Sequence, residues 1–376
     1  MSNGKIKKFL LAHNEEKSRA YSDPGVTSMR RLYRQRHPTE IAALKCMDGR
    51  INIPLITGIP KGIIQPFRNL GGRFDLGWPY FGQLMQEWEA YAISKGRKGI
   101  VFITYHWSKS HEHRGCAGFG YKKEDAIQHT IELHDQFERV FGREHAVVHP
   151  IRVGIETDED SMVLHGKDDY RLDLAKEANT SFEELRIKVE KLDPSMDATT
   201  VNDLLNLVWG NIEHRAEVLR SKRPVQDVEH KENVLALGRG FTWLHIPNKA
   251  IIIAPLMPDQ TEPIEKGARI ILNNLKTVKG LKKDGAVLLF SVFHREPVGP
   301  EKTFAIEKAD SLAFLAIKTI KERVPELLPH LDLMIGTTDN NTLKFTSNET
   351  ENSKKAAEML AQFKKGYLKG KVKKSA

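Results

Sequence analysis

The chain has two cysteines, Cys46 and Cys116, and each stands among residues able to do chemistry. Cys46-Met47-Asp48-Gly49-Arg50 sets thiol, carboxylate and guanidinium at alternate positions. Alternate side chains of an extended segment share one face, so this spacing predicts a single wall carrying all three groups. A thiolate binds zinc. A carboxylate beside it can accept a hydrogen bond from a water on the metal, and an arginine can hold that carboxylate bidentately and turn it away from the ion. Cys116 follows Tyr105-His106-Trp107-Ser108-Lys109-Ser110-His111-Glu112-His113-Arg114-Gly115. Two cysteines and one histidine make three zinc ligands and leave a tetrahedral position for water, the pattern of a catalytic zinc site. The bland alternative is two inert buried thiols beside ordinary loop residues, with Gly71-Gly72 no more than a turn.

The elements that would position these residues are legible in outline. Ile100 to Tyr105 is a continuous apolar run after Lys98-Gly99 and predicts a strand buried on both faces of a parallel sheet. Helical spacing covers Phe81 to Tyr91 and Lys122 to Phe141. Alternation of this kind predicts an α/β fold with a parallel sheet flanked by helices. Residues 172–229 read as a helical connector broken at Pro194 and Pro224. In it Ser181 and Glu184 have capping-box spacing, and Val201, Leu204, Leu205, Val208, Trp209 and Ile212 share a helix face. Residues 1–40, with Arg30, Arg31, Arg34 and Arg36, read as a basic arm with short helices.

The first half is echoed by the second. Lys98-Gly99-Ile100-Val101 matches Asp284-Gly285-Ala286-Val287, an offset of 186. Thr157-Asp158-Glu159-Asp160 matches Thr338-Asp339-Asn340-Asn341, an offset of 181. A duplicated domain that lost about five residues between these points fits the drift. The alternative is two unrelated α/β units. In this alignment Val292 takes the place of His106, and the second half has no cysteine. The expected domains are the arm 1–40, a zinc-binding domain 41–171, the connector 172–229, a degenerate repeat 230–350 and a basic tail 351–376.

Composition excludes several classes. With 376 residues, 40% hydrophobic and 28% charged, the chain is neither disordered nor collagenous as a whole, and its length predicts two domains. No apolar run approaches the ~20 residues needed to cross a bilayer. The apolar patch Phe9 to Ala12 is too short for a secretory signal, so a cytoplasmic location is expected. Of the net charge of +9, six units come from lysines in the last thirteen residues. That tail reads as a solvated end, with docking to an acidic protein surface as the functional alternative. No nucleic-acid motif accompanies it.

Cys46-x-Asp48-x-Arg50, then Arg68-Asn69-Leu70-Gly71-Gly72, then a strand ending in His106 and a cysteine soon after, together resemble the β-class carbonic anhydrases over about residues 40–166. Gly154 to Asp160 echoes that family's domain-edge segment only loosely. The resemblance implies that Cys46, a histidine and Cys116 ligate Zn2+, that Asp48 and Arg50 form the catalytic pair beside it, and that Phe67, Arg68, Asn69 and Gly71 line the substrate pocket. The family's His-x-x-Cys spacing is met by His113, while matching the strand end gives His106 with a loop inserted before Cys116; both stay open, with His106 preferred. Duplication with a degenerate second half is similar to the carboxysome-shell branch, whose two halves imitate a homodimer. An intramolecular pseudo-dimer is therefore implied, alone or paired further, with residence in a carboxysome-like compartment. The implied activity is reversible hydration of CO2 to bicarbonate through a zinc-bound hydroxide. The alternatives are hydrolysis of COS or CS2 on the same fold, or a non-catalytic zinc-binding scaffold.

Overall fold

A computed structural model describes residues 4–142, 147–224 and 227–374, with side chains as far as residue 370. The end of the expected tail, Ser375-Ala376, lies outside them. In chain order the elements are helices α1 (Lys5–Ser22) and α2 (Pro24–Arg36), strand β1 (Glu40–Cys46), α3 (Ile53–Ile56), β2 (Ile64–Asn69), α4 (Pro79–Ser94), β3 (Gly99–Trp107), α5 (Lys123–Phe137), β4 (Val148–Glu156), β5 (Ser161–His165), β6 (Arg171–Asp173), α6 (Phe182–Glu190) and α7 (Ala198–Ser221). There follow β7 (Val234–Leu237), β8 (Ala250–Ile253), α8 (Thr261–Thr277), α9 (Leu281–Asp284), β9 (Ala286–His294), α10 (Pro300–Arg323), β10 (Leu331–Asp339), β11 (Phe345–Ser347) and α11 (Glu351–Lys374).

The chain divides into two compact units. One comprises residues 27–229 and 256–258, the other residues 1–26, 230–255 and 259–376. The first holds a six-stranded sheet in the order β2-β1-β3-β4-β5-β6. Its first four strands are parallel, and β5 and β6 turn back antiparallel. In β3, residues Gly99 to His106 are all buried, as the apolar run requires. Helices α6 and α7, the segment read as a connector, belong to this unit. Ser181 and Glu184 cap α6 reciprocally. In α7, Asn211 donates to Ile56 O and Asp160 O and accepts from Met162 N, so a buried amide ties the helix to β5 and to the end of α3.

The second unit repeats this topology. Its sheet runs β8-β7-β9-β10-β11, with β7, β8, β9 and β10 parallel and β11 antiparallel. It is an α/β domain of the same architecture as the first, and the two related sheets expected from the internal echo are present. Register gives the equivalences directly. Gly99 pairs with Val148 as Ala286 pairs with Leu331, and both ladders run nine residues to Trp107–Glu156 and His294–Asp339. One hydrogen bond recurs just beyond them: Thr157 N donates to Trp107 O, and Asn340 N to His294 O, both at 2.8 Å. The offsets are thus 187 for the third strand and 183 for the fourth, a loss of four residues.

This register corrects the sequence alignment by one position at the third strand and by two at the fourth, where Asn340 rather than Thr338 answers Thr157. Gly285 is not the counterpart of Gly99. It ends α9 with φ 75°, a left-handed position that suits glycine, and the strand begins after it. The residue in the place of His106 is therefore Phe293, not Val292. The register of β1 and β7 against these strands gives an offset of 193, so Arg239 takes the place of Cys46. The Arg239 guanidinium lies 5.1 Å from the Phe293 ring centroid, so a cation–π pair occupies the positions that answer Cys46 and His106. Phe241 and Trp243, in the places of Asp48 and Arg50, are buried in the unit's apolar core.

Helix α1 is not a free arm. Ile6 and Leu10 are buried in that same core with Val234, Trp243 and Phe345. Asn14 donates to Leu343 O and accepts from Phe345 N, both at 2.8 Å, so its amide pairs with the edge strand as a neighbouring backbone would. The basic tail is helical over its described length: Ala356 and Leu360 of α11 are buried, and Lys364 donates to Leu331 O.

Candidate metal centre

Strand β1 ends at Cys46, Met47 bends, Asp48 keeps a single bridge, and Gly49 and Arg50 turn. The extended wall expected for Cys46, Asp48 and Arg50 is therefore absent. Instead Asp48 Oδ1 accepts Arg50 N at 2.8 Å, a carboxylate closing its own turn. The arginine then folds back over the acid. Its Nε donates to both carboxylate oxygens at 3.1 Å and its Nη2 to Oδ2 at 2.6 Å. The remaining donors reach Val228 O and Arg114 O, each at 2.7 Å. Both side chains are almost wholly buried, 6% and 5% exposed. The guanidinium thus fixes the carboxylate and pins the loop that carries Cys116.

That loop, residues 108–122, starts where β3 ends. Ser108 Oγ and Ser110 N donate to Asp158, and Lys109 N donates to the buried Glu156. Its far end lies on the turn after β2. A Cβ on Gly118 would fall on Gly71 Cα and N, so only glycine allows this approach. Gly71 itself sits at φ 68°. Gly118→Ala is accordingly expected to push the Cys116 turn outward. Metal bound per chain should fall while far-ultraviolet circular dichroism keeps its native shape; unchanged metal stoichiometry would contradict the packing argument.

Cys46, His106 and Cys116 converge. Their donor atoms lie within 4.8 Å of one another, and all three residues are buried. The sulfurs are 3.9 Å apart. Neither ring nitrogen of His106 has a hydrogen-bond partner although both are buried. A buried, unpaired imidazole is costly, and a metal ion beside it removes that cost. Two sulfurs and one imidazole suit zinc. The Cys116 thiol is held below its ordinary value, first by its hydrogen bond with Cys46. Cys46 is pushed above its own by the same bond and then by burial. His113 is not in this group: it lies exposed on a turn of 3-10 helix, its ring edge-on to Tyr121 at 4.9 Å.

The expected pocket residues lie alongside. Phe67, Arg68 and Asn69 pair in register with Leu44, Lys45 and Cys46, and all are buried. Asn69 O accepts Met47 N at 2.7 Å, and its Nδ2 donates to Arg73 O. The Phe67 ring meets Phe81 edge-on. Lys45, which sequence reasoning passed over, is 1% exposed and donates to Ile51 O. Burial, then the Arg68 charge, pushes its ammonium well below the usual lysine range; burial pushes Arg68 to about 10. A lysine inside Ile41-Ala42-Ala43-Leu44-Lys45-Cys46 was the available signal, since an unpaired lysine is almost never fully buried.

Residues 36–217 match the family model of the carboxysome shell carbonic anhydrase catalytic domain. This segment belongs to the carboxysome-shell branch of the β-class carbonic anhydrases. The match runs past the residues whose motifs carry the resemblance and takes in α6 and most of α7. No curated protein matches the chain. Among the described residues no helix is long and apolar enough to cross a membrane. In this carbonic anhydrase segment the candidate ligands sit at the carboxyl ends of the parallel strands β1 and β3, where open α/β sheets bind their ligands.

Proposed function

We propose that the chain interconverts CO2 and bicarbonate, with Cys46, His106 and Cys116 holding Zn2+. The observation that carries this reading is the buried group of two sulfurs and an unpartnered imidazole in the same unit as the Asp48–Arg50 pair. Zinc held there supplies a Lewis acid that makes water a nucleophile near neutral pH.

The chain's own residues do the rest. Asp48 accepts the hydrogen bond of the attacking water and orients its lone pair toward the carbon. Arg50 engages both oxygens of Asp48, which keeps that carboxylate ionised and turned from the ligand position. Phe67, Asn69 and Gly71 exclude bulk water beside Cys46, so a small apolar gas enters at little cost. Product release returns a proton to buffer, with the exposed His111 and His113 as carriers. Housing in a carboxysome is part of this proposal.

The test is to assay purified chain of known zinc content for CO2 hydration and, in parallel, for sulfide release from COS and CS2. Hydration with no sulfide release is expected. Sulfide release at the higher efficiency moves the substrate to a sulfur analogue. Stoichiometric zinc with neither activity from about pH 6.5 to 9 leaves a scaffold.

A further inference from the structure

We propose that the antiparallel edge of the first sheet binds a divalent oxyanion of the phosphate type, held by Arg152, His165, Arg171 and Lys123.

Strand register makes the row. Arg152 of β4 is paired with His165 of β5, and His165 with Arg171 of β6. Directly paired residues point to the same side of a sheet, so two arginines flank one imidazole. Tyr105 and Trp107 of β3 share this side, because Tyr105 pairs with Gly154, two residues along from Arg152. His106 lies between them in sequence and points to the other side. Gly154 leaves the space that Tyr105 crosses, since a Cβ there would strike the Tyr105 hydroxyl. The hydroxyl meets His165 Nε2 at 2.9 Å. Trp107 stacks on Tyr105 with centroids 5.5 Å apart, and Lys123 Nζ lies 4.0 Å from the centre of the Trp107 ring.

The donor count selects the ligand. With the Tyr105 hydroxyl donating to Nε2 of a neutral His165, the other ring nitrogen, Nδ1, carries the proton and donates to the ligand. The imidazole is kept neutral: burial, then Arg152, Arg171 and Lys123, pushes it down to about 4. Around it the arginine and lysine groups are donors only. Such a set matches a ligand of two negative charges whose oxygens are mostly acceptors, and the planar arginine fork suits those oxygens. Among the described residues neither Arg152 nor Lys123 has an ion-pair partner. The acids facing the cluster are Asp135 and Asp169 toward Arg152, Glu124, Asp173 and Glu156 toward Lys123, and Asp173 at 3.8 Å from Arg171. Of these, Asp173 also accepts Ala175 N and faces Lys176.

The experiment is calorimetric titration of the full chain with sodium phosphate, with sodium sulfate and sodium chloride at matched ionic strength as the other arms. Saturable binding of phosphate and sulfate without a chloride response is expected. Arg152→Gln and Lys123→Gln should each weaken phosphate by about tenfold, with metal content unchanged. Lys123 opens α5 at a partly exposed position, so its variant tests the site even where Arg152→Gln fails to fold. An equal response to chloride, or phosphate bound by Lys123→Gln as by the native chain, would overturn the proposal. Neither outcome bears on CO2 hydration.

Discussion

Cys116→Ser is expected to empty the metal centre while leaving the fold. Zinc held by four donors in small protein sites is stabilised by about 10–16 kcal/mol, so losing one thiolate costs roughly 3–4 kcal/mol, two to three orders of magnitude in affinity. Serine differs little in volume, and the loop keeps its other anchors: Asp158, Glu156 and Arg50. Elemental analysis after dialysis should give close to one zinc per native chain and almost none for Cys116→Ser or His106→Ala, with CO2 hydration lost in step. His113→Ala is the control. Its ring is exposed and lies outside the group of donors, so its zinc content should equal that of the native chain. Loss of zinc in His113→Ala with retention in His106→Ala would exchange the two ligands.

Asp48→Asn separates holding the metal from using it. The amide keeps the shape of the carboxylate and gives up its charge. Zinc content should stay native, while hydration falls by about 10²–10⁴, the range for a positioned acid–base group. Stability should fall as well. Arg50 is 5% exposed, and a buried guanidinium without its carboxylate costs about 3–5 kcal/mol. Denaturant titration alongside stopped-flow hydration tells the two effects apart. A variant that unfolds at native denaturant concentrations yet hydrates at the native rate would remove Asp48 from both roles.

The candidate site residues were legible because they are rare types. Only two cysteines exist, and each has an acid–arginine pair or a histidine cluster beside it. The shape of the first segment was not legible. Cys46 to Arg50 can be read as extended, yet Gly49 and the Asp48 side chain together make a turn, and that turn aims Arg50 at carbonyls 64 and 178 residues away. Contacts at such separation leave no local pattern. The same holds for α1, whose Asn14 pairs with residues more than 300 positions on. A polar first segment reads as an arm until its few apolar residues meet their partners. The repeat was visible in its order and misplaced by one residue at the third strand and two at the fourth. Short apolar strands look alike at neighbouring registers, and Gly285 mimics Gly99 while serving as a helix terminus.

The most direct measurement is X-ray absorption at the zinc edge of the purified chain. Two sulfur neighbours at about 2.3 Å and two nitrogen or oxygen neighbours at about 2.0–2.1 Å are predicted, one of the latter being solvent. A shell of four protein ligands, or one without sulfur, would contradict a metal centre built from Cys46, His106 and Cys116.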